Sequence, residues 1–189
     1  MNNKDKILLK TIDIVNNTFV KQTLKYIYSI LTENLKFAEG KHSVLIALNG
    51  ALAVFISGYL TSQINIVKIL SVLIIIFAVI SLSFNFLALF SRNIKYKKNI
   101  KFEEKELNLI FYKHIINFSY ENYLEEVKKM YDFPKEYKFD GLDKDLSKQI
   151  IAISKTTNFK FTFFNYSLFF LLLELILTIF NICLVGMAK

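Results

Sequence analysis

Three long apolar stretches dominate the pattern of hydrophobic and polar positions along the chain. They occupy residues 43–62, 69–91 and 161–188, and the first two contain no charged side chain. A helix needs roughly 20 apolar residues to cross a bilayer core about 30 Å thick, and each stretch reaches that length. We therefore predict three transmembrane helices, the first two joined into a hairpin by residues 63–68. The first stretch starts too late, and is followed too soon by the second, for a cleaved signal peptide.

The chain before the first span has the periodicity of an amphipathic helix. Residues 5–38 contain no glycine or proline, and their apolar positions recur in steps of three and four. We predict one long helix that continues through Gly40 into the first span, with an apolar face that packs on a partner helix or lies on the membrane. The stripe comprises Leu8, Ile12, Val15, Phe19, Val20, Leu24, Ile27, Leu31, Leu35 and Ala38.

The region between the second and third spans is predicted to contain three helices and a loop. Apolar positions in residues 107–118 form a helical stripe, and Ser119 is a candidate N-cap for the helix that follows. Residues 131–140 are predicted to form a loop. Asp143 is a candidate cap for a last helix that enters the third span. We therefore predict an all-helical integral membrane protein.

Positive charge is distributed unevenly and predicts the orientation. Residues 1–42 hold seven lysines and residues 92–160 hold fifteen Lys and Arg, whereas the hairpin has only Lys68 and the last segment only Lys189. The positive-inside rule places both basic regions in the cytoplasm and, with three spans, the end of the chain outside. The net charge of +8 is explained by this topology and by attraction of the basic regions to anionic lipid. The alternative is a role in anion binding. The predicted organisation is a cytoplasmic amphipathic helix (1–42), a transmembrane hairpin (43–91), a cytoplasmic helical region (92–160) and a third transmembrane helix (161–188).

Composition excludes several function classes. With Cys183 as the only cysteine and only two histidines, we expect no disulfide within the chain and no metal site. The five glycines are scattered, so no phosphate-binding loop is present. No nucleophile–base pair suggests catalysis, and no basic patch has a nucleic-acid fold signature. We expect a protein without enzymatic activity or cofactor that binds neither DNA nor RNA.

Short motifs resemble the PycTM family, the transmembrane effectors of bacterial Pycsar anti-phage systems. Residues 37–50 read FAEGKHSVLIALNG and are similar to that family's Ala-Asp-x-Lys-Ala-Ser block followed by Asn-Gly inside the first span. Residues 114–127 and 147–161 resemble two further family segments, the second with Lys160 near the usual lysine. The order of elements also fits. The matched positions of the first block are Ala38, Lys41, Ser43, Asn49 and Gly50.

The resemblance implies a function. A partner cyclase makes a cyclic pyrimidine mononucleotide, cyclic CMP or cyclic UMP, during infection. The effector senses it, with residues 92–160 as the sensing region, assembles as a homo-oligomer in the bacterial inner membrane and impairs that membrane, so that infection is abortive. The alternatives are a structural or adaptor subunit of a membrane complex, and an effector that answers another messenger such as a cyclic oligonucleotide.

Two sets of candidate site residues follow. A cyclic mononucleotide has one negative charge and an aromatic base, so it needs a cation and an aromatic ring. The alternative for the lysine at the mouth of the first span is snorkelling to lipid headgroups, or an ion pair with Glu39. Candidate nucleotide-binding residues are Lys41, Arg92, Lys113, His114, Lys155 and Lys160.

Polar side chains within the spans form the second set. Glu174 lies near the middle of the third span and is either a pore or gating group or a neutral carboxyl bonded to a neighbour. The asparagine side chains within the spans either make packing contacts between helices or form part of a hydrated path. Ala47, Ala51 and Gly58 form a small-residue face for close helix approach, within or between protomers. The candidate gating residues are Asn49, Asn85, Glu174 and Asn181, and Asn165 is a further amide in the third span.

Overall fold

The protein is built from helices. The structure, a computed structural model, describes residues 3–90 and 107–187, with side-chain surroundings from residue 15 onward. Helices make up most of the described residues, and three of these helices are long and apolar enough to span a membrane, which confirms the predicted fold class. The candidate residue Arg92 and the stripe positions Leu8 and Ile12 lie outside this description. The helices are α1 (Asn3–Ser57), α2 (Asn65–Leu89), α3 (Tyr112–Ile115), α4 (Tyr120–Met130) and α5 (Gly141–Met187), with a 3₁₀ turn at Gly58–Thr61.

The chain divides into two compact units. Unit 1 comprises Met1–Leu35 and Asn93–Asn158, and unit 2, the bundle, comprises Lys36–Arg92 and Phe159–Lys189. The two longest helices each contribute to both units, because α1 continues through Gly40 and α5 continues into the third span. Both continuations agree with the sequence prediction.

The apolar face of α1 is covered by its own chain in unit 1. Its buried positions there follow steps of four, three and four, as expected for one stripe of a helix. Val15 and Phe19, which the stripe also included, are 60% and 48% exposed. Packing within the protomer therefore covers this apolar face from Val20 to Leu31. The buried cluster comprises Val20, Leu24, Ile27, Leu31, Leu109, Ile115, Tyr123, Leu124, Val127, Phe133, Ile150 and Ile151.

The predicted helix over residues 107–118 is wrong in extent, because only α3 (Tyr112–Ile115) is helical there. The Asn108 side chain accepts hydrogen bonds from the backbone of Ile110 and Phe111, at 2.9 and 3.0 Å. In addition, His114 Nδ1 accepts from the Asn108 backbone N–H at 3.0 Å. Such local side-chain bonds compete with the helical ladder and favour a turn.

Side chains cap the starts of α4 and α5 in unit 1. Ser119 caps α4 as predicted, since its hydroxyl accepts from Asn122 N at 3.2 Å. For α5 the cap is Asp140, not Asp143: Asp140 Oδ1 accepts from Asp143 N at 2.9 Å, and Asp143 Oδ2 accepts from Asp140 N at 3.0 Å. The two carboxylates thus form a reciprocal capping box. Lys21 pairs with Asp140 at 2.8 Å, and this contact lowers the pKa of the Asp140 carboxyl.

The bundle exposes large apolar side chains and buries many of its polar ones. Its second helix begins at Asn65, so the hairpin connection after the 3₁₀ turn spans only residues 62–64 rather than the predicted 63–68. Asn65 and Lys68 belong to the first turn of α2 instead. Large apolar side chains such as Val54 (75% exposed) and Ile69 (68%) face outward, whereas amides and hydroxyls are buried. This inversion suits helices whose outer surface meets lipid.

Candidate functional site

A network of hydrogen bonds joins the three helices of the bundle. On one side, His42 Nδ1 of α1 is 2.6 Å from Asn85 Oδ1 of α2, and His42 Nε2 is 3.0 Å from the Lys160 carbonyl of α5. Asn85 also donates to the Ser167 hydroxyl at 2.5 Å, and Ser81 lies 2.8 Å from the same hydroxyl. All four side chains are fully buried. Polar contacts therefore set the register of the helices here.

Lys160 is held in an ion pair. Its ammonium lies 3.2 Å from Glu39 Oε1, and its side chain is only 3% exposed whereas that of Glu39 is 47% exposed. Glu39 thus pairs with Lys160, although the sequence had suggested Lys41 as its partner. A buried lysine that already has a carboxylate is a poor candidate for binding a phosphate, since the ligand would have to displace Glu39.

Lys41 contacts aromatic rings. Its ammonium lies 4.5 Å from the ring centroid of Phe37, 5.0 Å from that of Phe164 and 5.3 Å from that of Phe161. These distances fall within the range of cation–π interaction. Because Phe37 belongs to α1 and the other two rings belong to α5, Lys41 links the two helices within the bundle.

A cavity of about 300 Å³ lies beside Lys41. Its walls are apolar apart from the lysine, so the site combines one cation with aromatic and aliphatic surface. This is the composition of pockets that hold a small ligand with a few polar contacts. The lining residues are Phe37, Gly40, Lys41, Val44, Leu45 and Phe164.

The predicted cations that the structure describes are divided between the two units. Lys113, His114 and Lys155 belong to unit 1, while Lys41 and Lys160 belong to the bundle. His114 stabilises the turn at Asn108 through its ring nitrogen.

A second cavity, which the sequence did not indicate, lies in unit 1. It measures about 330 Å³ and is lined by three lysines and Phe133, but also by two acidic side chains. Lys128 donates to the carbonyls of Lys135 and Tyr137, at 2.8 and 2.9 Å, and so holds the loop after α4. Glu125 and Asp132 would repel a phosphate, which makes this cavity less suited to a cyclic nucleotide than the one beside Lys41.

The four candidate gating residues are buried in the bundle interior. Asn49 donates to the Leu45 carbonyl at 2.7 Å, and Asn181 donates to Ser71 at 2.9 Å. Asn85 belongs to the network around His42, whereas Asn165 faces outward. Glu174 is fully buried, and neither of its carboxylate oxygens has a hydrogen-bond partner among the described residues.

Sequence reasoning missed the serines that pair across the bundle. Ser81 and Ser167 bond each other, and Ser71 accepts from Asn181. One signal was present, because Ser167, Glu174 and Asn181 recur every seven residues and so share one face of α5. The small-residue face of Ala47, Ala51 and Gly58 is exposed, so no other helix in the described part of the protomer packs closely along it.

Comparison with known families accounts for this combination of membrane helices and a helical unit. A family model described as "PycTM: Pycsar effector protein domain" matches residues 23–187, which covers most of α1 and all of α2 to α5. The chain belongs to the PycTM family. It is therefore a multi-pass membrane effector of anti-phage defence, and the PycTM family is not a known enzyme class. Neither a curated protein nor a solved structure gives a significant match to the chain.

Proposed function

We propose that this protein is a cyclic-nucleotide-gated effector that impairs the bacterial inner membrane during phage infection. The observation that carries the proposal is the PycTM match over residues 23–187, which includes residues of both units. The messenger is a cyclic pyrimidine mononucleotide, cyclic CMP or cyclic UMP, supplied by a partner cyclase. The effector acts as a homo-oligomer. Residues 1–42 and 92–160 face the cytoplasm, where the messenger is made, as the lysine and arginine distribution favours.

The cavity beside Lys41 is the proposed nucleotide site. The single phosphate charge binds the Lys41 ammonium, and the pyrimidine lies against the ring of Phe37 or Phe164. A volume of about 300 Å³ is at the small end of ligand pockets and suits a mononucleotide better than a cyclic oligonucleotide.

Binding at this place has a direct mechanical consequence. The phosphate competes with three aromatic rings for one ammonium, and two of these rings belong to α5. A ligand changes a conformational equilibrium only through different affinities for two states. A state in which Lys41 has left the rings of α5 binds the phosphate better, so the nucleotide favours separation of α1 from α5 in the bundle.

Two measurements test this function. Calorimetry on the purified full-length protein in detergent compares cyclic CMP, cyclic UMP and a cyclic dinucleotide, and we expect binding of a cyclic pyrimidine mononucleotide alone. In cells, growth arrest and the membrane potential are compared with and without an active pyrimidine cyclase. Binding of the dinucleotide alone would identify a different messenger. Unchanged growth with an active cyclase, at normal effector levels, would contradict a membrane-impairing role.

A further inference from the structure

The interior of the bundle contains a seam of polar side chains that the proposed nucleotide site does not use. Along α5, the buried positions Ser167, Glu174 and Asn181 are seven residues apart, which is about 10 Å of helix for each interval. On the facing helix, Ser81 bonds Ser167 and Ser71 bonds Asn181. These two contacts bracket Glu174 from both sides. The seam continues through Asn85 to His42 and the Lys160 carbonyl, and α1 adds Asn49.

Several atoms of this seam lack a partner in the described part of the chain. Both carboxylate oxygens of Glu174, Asn49 Oδ1, Thr178 Oγ1 and Asn181 Oδ1 are buried without a hydrogen bond. A buried polar group without a partner is unfavourable, and a carboxylate in an apolar interior more so. Packing between helices explains the serine pairs but does not explain Glu174, which has no hydrogen-bond partner among the residues that the structure describes. Partners for these atoms, such as water, would therefore stabilise the interior of the bundle.

Apolar side chains separate the polar layers in the present structure. Leu171 lies between Ser167 and Glu174 on α5, and Ile74 and Ile56 are fully buried on the other two helices. Three closely packed helices leave no room for a hydrated ion between such side chains. A small separation of the helices would, however, admit a few water molecules to bridge the polar layers.

We propose that this seam is a proton path within the bundle of a single protomer, closed in the present structure, and that Glu174 is its central proton-binding group. The inference rests on the proposed function, since the nucleotide supplies the helix separation that opens the path. A proton that enters near Asn181 binds a Glu174 carboxylate oxygen, and the same proton leaves through bridging water towards Ser167, Asn85 and His42. No bond other than those to the proton is made or broken. The other buried titratable side chain in the described part of the seam is that of His42, so proton-binding groups lie at its middle and at one end.

The charge of the seam favours protons over anions. Among the described residues of the bundle, Glu174 is the only buried acid, and the one buried lysine is already paired with Glu39. An anion that reached the middle of the bundle would be repelled by the carboxylate, and a large ion would not fit. Impairment of the membrane then takes the form of lost proton gradient, without release of larger solutes.

The experiment uses the full-length protein in liposomes of mixed zwitterionic and anionic lipid. Proton uptake is recorded with an entrapped pH dye under a potassium diffusion potential, before and after addition of cyclic CMP or cyclic UMP. Release of entrapped carboxyfluorescein is measured in parallel. For Glu174→Gln, which keeps the shape but cannot bind a proton as a carboxylate does, we expect nucleotide-dependent proton flux to fall by about tenfold or more. Glu174→Asp should retain most of the flux.

Matched amide substitutions separate the seam from the lipid-facing surface. Asn181→Leu replaces a buried seam residue, and Asn165→Leu replaces an exposed amide of the same helix. We expect the first to reduce the flux and the second to leave it unchanged, with equal amounts of each variant in the liposomes.

The outcomes distinguish this inference from the function on which it rests. Wild-type protein that passes neither protons nor dye in response to the nucleotides contradicts the proposed function itself. Nucleotide-dependent proton flux that is the same in Glu174→Gln overturns the proton path and leaves the function standing. Simultaneous release of carboxyfluorescein also overturns it, because such a solute requires a wide pore or general disruption.

Discussion

At the scale of single residues, two lysines of the bundle have different surroundings. Lys160 is buried and paired with Glu39, so its charge is already balanced. Lys41 is held among three phenylalanine rings beside a cavity. Cation–π contacts are worth about 0.5–2 kcal/mol each, less than a charge-assisted hydrogen bond to a phosphate. A phosphate can therefore displace the rings from Lys41 more easily than it can displace the carboxylate from Lys160.

The first prediction concerns Lys41→Glu. Reversal of the charge repels a phosphate, so cyclase-dependent growth arrest should be lost while the protein still inserts and accumulates normally. Lys36→Glu is the matched control, because Lys36 is an exposed lysine on the same helix that lines neither cavity. Cell viability and membrane levels of both variants are measured together. Retained arrest in Lys41→Glu at equal levels would make Lys41 an interfacial anchor only.

The second prediction concerns the Glu39–Lys160 pair. Glu39→Ala leaves a buried ammonium without its carboxylate, and we expect it to destabilise the protein by about 1–3 kcal/mol. Because Glu39 is half-exposed, water replaces part of the contact and the lower end of this range is expected. Thermal unfolding in detergent gives the measurement. The double variant Glu39→Ala/Lys160→Met should recover the loss, and failure to recover would show that the ion pair is not the cause.

At the scale of helices, α5 starts at a capping box tied to α1. Asp140 caps the helix and binds Lys21 at 2.8 Å, and the hydrogen bond from Lys21 lowers the pKa of the Asp140 carboxyl from its ordinary 3.8. The same contact raises the pKa of Lys21 above 10.5. A lowered carboxyl pKa stabilises the fold above the unfolded-state value, and this contribution is lost as the pH falls through the folded-state pKa.

The third prediction follows from the lowered pKa of the Asp140 carboxyl. Asp140→Ala removes the cap and the ion pair, so it should lower the stability by about 1–2 kcal/mol near neutral pH. The wild-type protein and the variant should become more similar as the pH falls below the ordinary carboxyl pKa of 3.8 and through the lowered pKa of Asp140 in the folded protein. Thermal unfolding of the full chain at several pH values checks this convergence.

Asp145→Ala is the control for that experiment. Asp145 pairs with Lys148 on the same helix at 3.1 Å, but the two side chains are 67% and 54% exposed. Exposed pairs of this kind contribute about 0–1 kcal/mol. A stability loss in Asp145→Ala as large as that in Asp140→Ala would mean that surface charge, and not the cap, supports the helix start.

At the scale of the whole molecule, the fourth prediction is the orientation in the membrane. The excess of lysine and arginine in residues 1–42 and 92–160 predicts that both face the cytoplasm. A reporter fused at Lys189 should therefore be active when it requires the periplasm and inactive when it requires the cytoplasm. The same reporters fused after Lys36 should give the reverse result. Cytoplasmic activity at both positions would contradict three spans in this orientation.

Local features of the sequence were sufficient to predict the long helices and the membrane spans. The three apolar runs and the stripe from Val20 to Leu31 predicted them, because helical periodicity and bilayer length depend on neighbouring residues only. The stripe over residues 107–118 predicted too long a helix, because a periodic pattern does not show hydrogen bonds to a side chain. The bonds that the Asn108 side chain accepts from the backbone favour a turn there. Charge pattern alone could not narrow the list of candidate nucleotide-binding residues, because many residues are cationic and their surroundings depend on distant parts of the chain.

The sequence by itself determined an all-helical membrane protein with a polar strip along its third span. Only the tertiary structure decided which polar groups meet. His42 and Asn85 are 43 residues apart and His42 and Lys160 are 118 apart, and no periodicity specifies how two distant helices align. That alignment pairs Glu39 with Lys160 and places Lys41 among the aromatic rings. It also buries Glu174 without a hydrogen-bond partner among the described residues. The physical reason is that side-chain pairing between helices depends on their packing register, which the whole bundle sets.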